Sequence, residues 1–465
     1  MAREYLSSID ATLLHLDDPT NPMMITVVMV FKAPISYERL KATLETRLLT
    51  MRRFRQRLAY AGLGAGKPYW EDDPEFDIRY HLQRACLDEP PPGNQAALQD
   101  AVSVLAGTPL DLSRPLWQFH LIQNYEECCA LVMRFHHSIA DGMALVHVIL
   151  SMTDTDPDAP WPMVPLDGAR GRSRRRGGLL RPGRSRLAPA HRVAGKLVRQ
   201  GMDLLVHPSN LREVGRTGGE AALDLARFLL LKPDPDTVLR GELGVQKRAA
   251  WSTGMPLDDV KIIRQALGGT LNDVLLSIVA GALRRYLHEH GEPVDSLSLR
   301  VTVPVNMRES GREADLGNRV GAVFFDLPIS IADPVCRLGE IVRRMNGRKD
   351  SYESVAFYTA LRVLGQGPAP IANRLINTFG TRSTAVMTNV MGPRQQLYLA
   401  GSPLDVLLAW VPTTGRMGIG VSILSYAGEV RLGVMTDEGL VPDPEAMILA
   451  FHTEFDELLA RARAA

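Results

Sequence analysis

Cysteine is scarce in this chain of 465 residues, which contains only Cys86, Cys128, Cys129 and Cys336. None of the four lies in a Cys-x-x-Cys spacing or beside a histidine cluster, so the sequence contains no pattern typical of a zinc site. Sparse cysteines of this kind are typical of proteins whose thiols stay reduced. We therefore expect no bound metal and a cytoplasmic location.

Long apolar segments are also missing. Apolar runs such as Val274–Leu283 end at charged residues and are well short of the roughly 20 residues that a spanning helix needs. Near the N-terminus, Asp10, Asp17 and Asp18 stand where a secretory signal peptide has a continuous apolar stretch. We expect a protein that is not exported and whose contact with a membrane is peripheral.

Positive and negative charges are nearly equal in number, because the chain has 53 Lys and Arg residues and 52 Asp and Glu residues. The overall charge therefore indicates no particular class of partner. The hydrophobic fraction of 45% is that of an ordinary globular protein. Since 465 residues exceed what one hydrophobic core usually supports, we expect two domains, or two lobes that share a cleft.

Strand-like and helix-like segments alternate over residues 1–153, which indicates a mixed α/β lobe. The β-branched segment Ile25–Phe31 is bounded by prolines and predicts a buried strand. Apolar residues four apart predict a helix over Tyr37–Leu49, with Ser36 as its N-cap. The other predicted elements are a helix over Asn94–Leu105, strands over Trp117–Gln123 and Ala130–Phe135, and a helix over Gly142–Met152.

Residues 154–244 differ in composition and predict a linker. Proline-rich flanks surround a basic stretch, Arg170–Arg199, and acidic residues are absent from Gly168 to Met202. We expect this linker to be partly disordered and then helical from about residue 189 to residue 231.

Strand-like and helix-like segments alternate again over residues 245–465, and this pattern predicts a second lobe of similar architecture. The last two predicted strands are joined as a hairpin by Tyr426–Gly428. The predicted elements are a strand near Trp251, helices over Leu257–Ala266 and Leu271–His288, and strands over Leu297–Pro304, Val320–Leu327, Thr384–Asn389, Met417–Ser425 and Glu429–Met435.

The most informative motif is the segment His136–Gly142 (HHSIADG), here named the histidine loop. It follows a predicted strand and precedes a predicted helix. An alcohol needs a base to attack a thioester at neutral pH, and histidine is the natural base because its ordinary pKa is near 6.5. We predict that His137 is the general base, that Asp141 orients the loop and that Gly142 permits a tight turn. We expect His136 to be mainly structural.

A structural interpretation of the histidine loop stays open, in which both histidines are buried core residues beside a helix-capping aspartate. The fixed spacing of several chemically specific residues favours the catalytic interpretation over this one. A Gly-x-Ser-x-Gly nucleophile elbow is absent from the sequence, which favours direct transfer without a covalent acyl-enzyme.

With these motifs the sequence resembles the bacterial wax ester synthase/diacylglycerol acyltransferase family. That family belongs to the coenzyme-A-dependent acyltransferases with a His-His-x-x-x-Asp-Gly motif, such as chloramphenicol acetyltransferase and the condensation domains of peptide synthetases. The resemblance covers the whole chain except the basic linker, and one departure is Met391, where the family commonly has proline. The other matching segments are Ser8–Ala11, Pro19–Met23, Arg114–Trp117, Thr270–Asp273, Leu316–Val320, Asn389–Pro393 and Leu397–Gly401.

The resemblance implies an α/β (α+β) fold of two chloramphenicol-acetyltransferase-like lobes, with a substrate tunnel at their interface. It implies transfer of a long-chain acyl group from acyl-CoA, as co-substrate, to diacylglycerol or to a long-chain alcohol. No bound cofactor is expected. Two alternatives stay open: a condensation-type or other carrier-dependent acyltransferase, and a non-catalytic lipid-binding relative.

The resemblance also implies further site residues. Asn272 is the candidate for contact with the developing oxyanion, although a helix N-cap is an equally ordinary role for asparagine. Trp117, Asp273, Asn389 and Gly392 are candidate substrate-binding residues. For Trp117 a core position, and for Asp273 a structural position, is the favoured alternative.

Two arginine features leave alternatives open. Arg308 either pairs with Asp141 or is an ordinary surface arginine. The stretch Arg170–Arg199 is a solvated linker, a contact with anionic lipid at a membrane or lipid droplet, or a nucleic-acid tail. Nucleic acid is the least favoured partner, because no groove-reading motif accompanies the arginines.

Overall fold

A computed structural model describes residues 3–60, 67–91, 93–160, 232–308, 316–347 and 380–465. Two large mixed sheets, each covered by helices, form two lobes, so the predicted α/β class is confirmed. The helices are α1 (Ser8–His15), α2 (Tyr37–Thr46), α3 (Ile78–His81), α4 (Gln95–Gly107), α5 (Gly142–Met152), α6 (Leu257–Leu267), α7 (Leu271–Glu289), α8 (Pro334–Asn346) and α9 (Pro444–Ala464).

The strands belong to three sheets. The first lobe has the order β13-β14-β2-β7-β6-β5, the second lobe has β11-β10-β12-β15-β16-β8 with β9 on β16, and a small sheet has β1-β4-β3. The strands are β1 (Glu4–Tyr5), β2 (Met24–Phe31), β3 (Gln56–Tyr60), β4 (Pro68–Asp72), β5 (Leu82–Ala85), β6 (Trp117–Tyr125), β7 (Cys128–His136), β8 (Lys247–Trp251), β9 (Met255–Pro256), β10 (Leu299–Asn306), β11 (Val320–Leu327), β12 (Ala385–Met391), β13 (Tyr398–Leu399), β14 (Ser402–Trp410), β15 (Ile419–Tyr426) and β16 (Glu429–Asp437).

Strand β2 lies in the middle of the first lobe, and all eight of its residues are buried. Its odd-numbered residues, such as Val27 and Met29, join the core that includes α2 and α5. Its even-numbered residues, Val28 and Val30, join a second cluster with α4 and the tryptophans of β8 and β14. Because successive side chains point to opposite faces, burial of both faces explains why β2 is apolar throughout.

The second lobe is built around the long helix α7. Its N-terminus has a capping box, in which Thr270 Oγ1 accepts from the Asp273 N–H at 3.2 Å and Asp273 Oδ2 accepts from the Thr270 N–H at 2.8 Å. The apolar residues of α7 share one core with α6, α9 and the second sheet. Among the described residues no single helix is long and apolar enough to cross a membrane, although α6 and α7, bent by 97°, meet the length and composition criteria together.

The two halves of the sequence are interlocked in space. Strand β14, from the C-terminal half, pairs antiparallel with β2 from Leu404 opposite Phe31 to Trp410 opposite Thr26. In the other direction, the Ala249 N–H of β8 donates to Ser103 Oγ on α4 at 2.8 Å. The first sheet is therefore completed by residues that follow the predicted linker.

Both described ends of the predicted linker, residues 154–160 and 232–244, contact the lobes. Asp154 forms a 2.9 Å ion pair with Arg47 and a backbone bridge with Tyr398. Asp234 is buried and accepts from the Arg300 N–H at 2.8 Å. The arginine stretch Arg170–Arg199 and the helix predicted up to residue 231 lie outside the described residues.

We expect residues 1–160, produced alone, to lack a cooperative thermal transition, because they lack β13 and β14 and leave the buried edge of β2 uncovered. Circular dichroism melts and size-exclusion chromatography measure this. Co-expression of 1–160 with 161–465 is the control and should restore a cooperatively melting complex. A monomeric, cooperatively melting 1–160 fragment would show that the first lobe folds independently.

Candidate functional site

The histidine loop is fixed at the junction of β7 and α5. The last residue of β7, His136, lies opposite Met24 at the start of β2. One residue on, the His137 N–H donates to the Met23 carbonyl at 2.7 Å, and the Ile139 N–H donates to the His136 carbonyl at 3.0 Å. These bonds leave the loop little freedom to move relative to the sheet.

The imidazole of His137 is held through one nitrogen. Its Nδ1 lies 2.8 Å from Oδ1 of Asn318, a residue of the C-terminal half. The Asn318 amide nitrogen in turn donates to the His137 carbonyl at 2.7 Å and to Asp10 Oδ1 at 2.8 Å. Because Nδ1 is engaged, Nε2 is the nitrogen that can take a proton from a substrate.

The environment of His137 favours the neutral imidazole. Burial lowers the pKa of His137 below its usual range, and this outweighs the opposing effects of a hydrogen bond to its own backbone, of the Asp141 charge and of the Asn318 hydrogen bond. A neutral imidazole at neutral pH is the form that a general base requires. The position and the protonation state of His137 therefore both suit base catalysis.

His136 is held by hydrogen bonds within its own loop, and these contacts favour a structural role. Its Nδ1 accepts from the Ser138 N–H at 3.1 Å and lies 2.7 Å from Ser138 Oγ. Since Nδ1 is an acceptor, the proton of neutral His136 is on Nε2, which lies 3.8 Å from Asp17 Oδ2. The side chain of His136 thus contacts its own loop and the segment between α1 and β2, as a structural residue would.

Asp141 connects the histidine loop to the second lobe. Its Oδ1 caps α5 by accepting from the Ala144 N–H at 3.0 Å, and its Oδ2 accepts from the Arg319 N–H at 2.8 Å. Arg308 forms a buried ion pair with the same carboxylate, so this sequence alternative is confirmed. The contacts of Asp141 are those of a residue that orients the loop.

A cavity of about 360 Å³ lies between the two sheets, and His137 lines it. Its walls come from both lobes and are mainly apolar, so it suits an alkyl chain better than a polar substrate. The apolar lining residues include Leu13, Ile25, Leu145, Ile149, Pro304, Val320, Ala322, Phe324, Val386, Leu407, Val411 and Leu424.

Only some of the predicted site residues reach this cavity. Asp141, Gly142, Asn389 and Gly392 line it together with His137. Asn272 is not among the lining residues that the structure describes, but its Oδ1 lies 2.7 Å from Nδ2 of Asn389.

Trp117 and Asp273 occupy structural positions, which corrects their prediction as substrate contacts. Trp117 is fully buried, its Nε1 donates to the Phe54 carbonyl at 2.8 Å, and its ring stacks on His81 with centroids 4.5 Å apart. Asp273 is the buried carboxylate of the α7 capping box. Both positions are explained by packing and capping alone.

The predicted reason for Gly142 was a tight turn, and the structure does not support it. Gly142 does not have a positive φ, and apart from its chain neighbours and the backbone of its own helix, no described atom lies within 4 Å of a Cβ built on it. Gly392 is different, because a Cβ there would lie 2.5 Å from the Ser425 carbonyl oxygen. Space inside the protein therefore requires glycine at position 392 but not at position 142, where the missing side chain leaves room in the cavity.

Sequence analysis missed the roles of Asp10 and Asn318. Both residues lie in segments that resemble the family, yet neither was a site candidate. Folding buries both polar residues, with 7% and 6% of their surfaces exposed, and the one signal available in the sequence was their place in those matching segments.

The chain has two α/β lobes with a His-His-x-x-x-Asp-Gly loop at the wall of the cavity between them, which are the fold and motif of this class of acyltransferase. The profile of the wax ester synthase/diacylglycerol acyltransferase catalytic domain matches residues 6–275, and that of the family's C-terminal domain matches residues 316–459. The chain therefore belongs to the wax ester synthase/diacylglycerol acyltransferase family and is an O-acyltransferase.

Individual relatives agree with this assignment. One Mycobacterium tuberculosis protein, provisionally named a diacylglycerol O-acyltransferase, is 30% identical over 98% of this chain and 90% of its own length. The structure of a wax ester synthase/diacylglycerol acyltransferase from Marinobacter aquaeolei shares the fold, with a TM-score of 0.69 and 22% identity over 98% of this chain and 99% of that one. A condensation domain of the calcium-dependent antibiotic synthetase has a TM-score of 0.61 and 15% identity over 99% and 97% of the two chains.

We expect Gly142→Leu to lower kcat/KM at least about 10-fold while leaving the melting temperature close to that of the parent, because the new side chain enters the cavity and not the protein core. Gly392→Ala is the matched comparison and should lower the melting temperature, because its Cβ meets backbone. Thermal melts and acylation kinetics of both variants measure the contrast. A Gly142→Leu protein with lowered stability and unchanged kcat/KM would contradict this account.

Proposed function

We propose that the chain transfers a long-chain acyl group from acyl-CoA to the hydroxyl of diacylglycerol, of a long-chain alcohol, or of both. The observation on which this rests most is the neutral, Nδ1-anchored His137 at the wall of an apolar cavity between the lobes. The apolar wall provides for the alkyl chains, and His137 provides the base. The names of the relatives support the same acceptors.

In the proposed reaction, Nε2 of His137 takes the proton of the acceptor hydroxyl while the oxygen attacks the thioester carbonyl. The C–O bond forms and gives a tetrahedral oxyanion. This intermediate collapses, the C–S bond breaks, and the thiolate of coenzyme A takes the proton from the imidazolium. Atoms and charges balance without a covalent acyl-enzyme, and among the described residues the cavity lining contains no serine or cysteine.

Two groups are candidates to stabilise the oxyanion. The first-turn N–H groups of α5 have no partner within the helix, and Gly142 and Met143 of that turn line the cavity. Asn272 stays our side-chain candidate, because it contacts the cavity-lining Asn389. The α5 groups belong to the cavity wall itself, whereas Asn272 would act next to Asn389, and neither arrangement uses Nε2 of His137.

A carrier-bound acyl group is the second candidate donor, because condensation domains share this fold. The family assignment favours acyl-CoA. The test is a panel in which one long-chain acyl-CoA is offered with diacylglycerol, hexadecanol or a short alcohol while free thiol is measured. Absence of thiol release with every acceptor would exclude the proposed reaction.

We expect His137→Ala to lower turnover at least about 100-fold with near-normal folding, because no other side chain supplies the base. His136→Ala is the matched control and should have a clearly smaller effect, since His136 contacts only structural partners. Thiol-release kinetics and circular dichroism of both variants measure this. Full activity of a folded His137→Ala protein would remove His137 from the mechanism.

We further propose that the protein attaches peripherally to a membrane or lipid droplet through the stretch Arg170–Arg199. Each basic residue near an anionic leaflet contributes about 1 kcal/mol, so several together hold a protein at the surface. The sequence supports this, because acidic residues are absent from Gly168 to Met202.

Replacing six of these arginines by serine should reduce co-sedimentation with anionic vesicles, and binding of the parent should weaken as salt rises. Turnover of a short, water-soluble alcohol should be retained, because none of the six is assigned to the reaction. Unchanged vesicle binding would move attachment to another surface. The six positions are Arg172, Arg174, Arg175, Arg176, Arg184 and Arg186.

A further inference from the structure

Three polar side chains form a buried chain of hydrogen bonds behind the catalytic histidine. Asp10 Oδ1 accepts from Asn318 Nδ2 at 2.8 Å, and Asn318 Oδ1 lies 2.8 Å from His137 Nδ1. Asp10 is 7% exposed and Asn318 is 6% exposed. Because a buried polar group without a hydrogen-bond partner destabilises the folded state, the chain of bonds is strongly constrained.

The partners fix the direction of the Asn318 amide. Its nitrogen contacts the Asp10 carboxyl and the His137 carbonyl oxygen, and a backbone carbonyl is only an acceptor. The NH2 group of Asn318 must therefore face these two atoms. Its carbonyl oxygen then faces His137 Nδ1, which must bring the proton to that bond.

We propose that Asn318, held by Asp10, is the positioning residue that keeps His137 in the tautomer with its free electron pair on Nε2. This inference rests on the proposed function, in which Nε2 is the base. Asn318 touches neither the thioester nor the alcohol in this proposal. It acts by fixing the ring direction and the site of the ring proton.

An amide at this position differs from the carboxylate that holds the histidine in a Ser-His-Asp triad. The amide oxygen has no net charge, so it accepts the Nδ1 proton without strongly stabilising the imidazolium. Burial then keeps the pKa of His137 low and the ring neutral. A neutral partner fits a base that must start each turnover unprotonated.

Asp10 completes the arrangement from a third part of the chain. It lies in the first turn of α1, and it is 308 residues from Asn318 in sequence. Its carboxyl occupies one N–H of the Asn318 amide, while the His137 carbonyl occupies the other. Rotation of the amide would break both bonds.

The first test replaces Asn318 by leucine, which has a similar size and no hydrogen-bonding group. We expect kcat to fall at least about 10-fold while KM for acyl-CoA changes less than about threefold, because the ring is no longer held in the basic tautomer. Ser138→Ala is the matched control, since it removes a similar bond from His136 in the same loop. Its kcat should stay within about threefold of the parent.

The second test exchanges the two side chains in the double variant Asp10→Asn/Asn318→Asp. The exchange keeps an amide and a carboxylate in contact but places the carboxylate against Nδ1. It should stabilise the imidazolium, so that kcat/KM begins to fall at a higher pH on acidification than in the parent. A purely structural role predicts lower stability with an unchanged acid limb.

The outcomes separate this inference from the proposed function. Parental kcat in folded Asn318→Leu, or an unmoved acid limb in the double variant, overturns the positioning role even if His137→Ala is inactive. Full activity of His137→Ala overturns the proposed function itself. Loss of kcat in Asn318→Leu together with a shifted acid limb in the double variant supports both.

Discussion

The attachment of the histidine loop to the second lobe is the constraint on which the rest of the site depends. Three consecutive residues form this attachment. The Gly317 N–H donates to the Ile139 carbonyl at 3.2 Å, and the Arg319 N–H donates to the Asp141 carboxylate. Between them, the Asn318 side chain bonds both the ring Nδ1 and the backbone carbonyl of His137. Each bond joins a residue of the first half to one of the second. The geometry of His137 is therefore a property of the assembled lobes and of neither lobe alone.

Burial has opposite effects on the two ionisable groups of this network. It lowers the pKa of His137 and raises the pKa of Asp10, because in each case the charged form loses its hydration. For Asp10, hydrogen bonds from Asn318 and the nearby Arg53 charge work against that shift. The same buried environment thus favours the neutral imidazole of His137 and makes the hydrogen bonds around it costly to break.

The sequence predicted the local elements well, because their periods and caps are local. The strand over Val320–Leu327 and the helix over Gly142–Met152 have the predicted bounds, although the helix from Tyr37 ends at Thr46 and not at Leu49. The fold class and the position of the histidine motif were also predicted. The contacts of Asn318 could not be predicted, because its partners are 181 and 308 residues away in sequence. Contacts over such separations leave no local sequence pattern. Strand β14 was not among the predicted elements, so its pairing with β2 was missed with it.

The hydrogen bonds of His137 and the wall of the cavity are formed by different groups of residues. The polar network of Asp10, Asn318 and His137 lies behind the ring, whereas the cavity wall in front of it is mainly apolar and comes from both sheets. A change in the wall would therefore alter the volume of the cavity without changing the hydrogen bonds of His137. A condensation domain and a wax ester synthase/diacylglycerol acyltransferase share this fold with the chain at 15% and 22% sequence identity, and a shared fold does not by itself fix the substrate. Gly142 belongs to the wall: it follows the loop aspartate directly, and its missing side chain leaves open space in the cavity that His137 also lines.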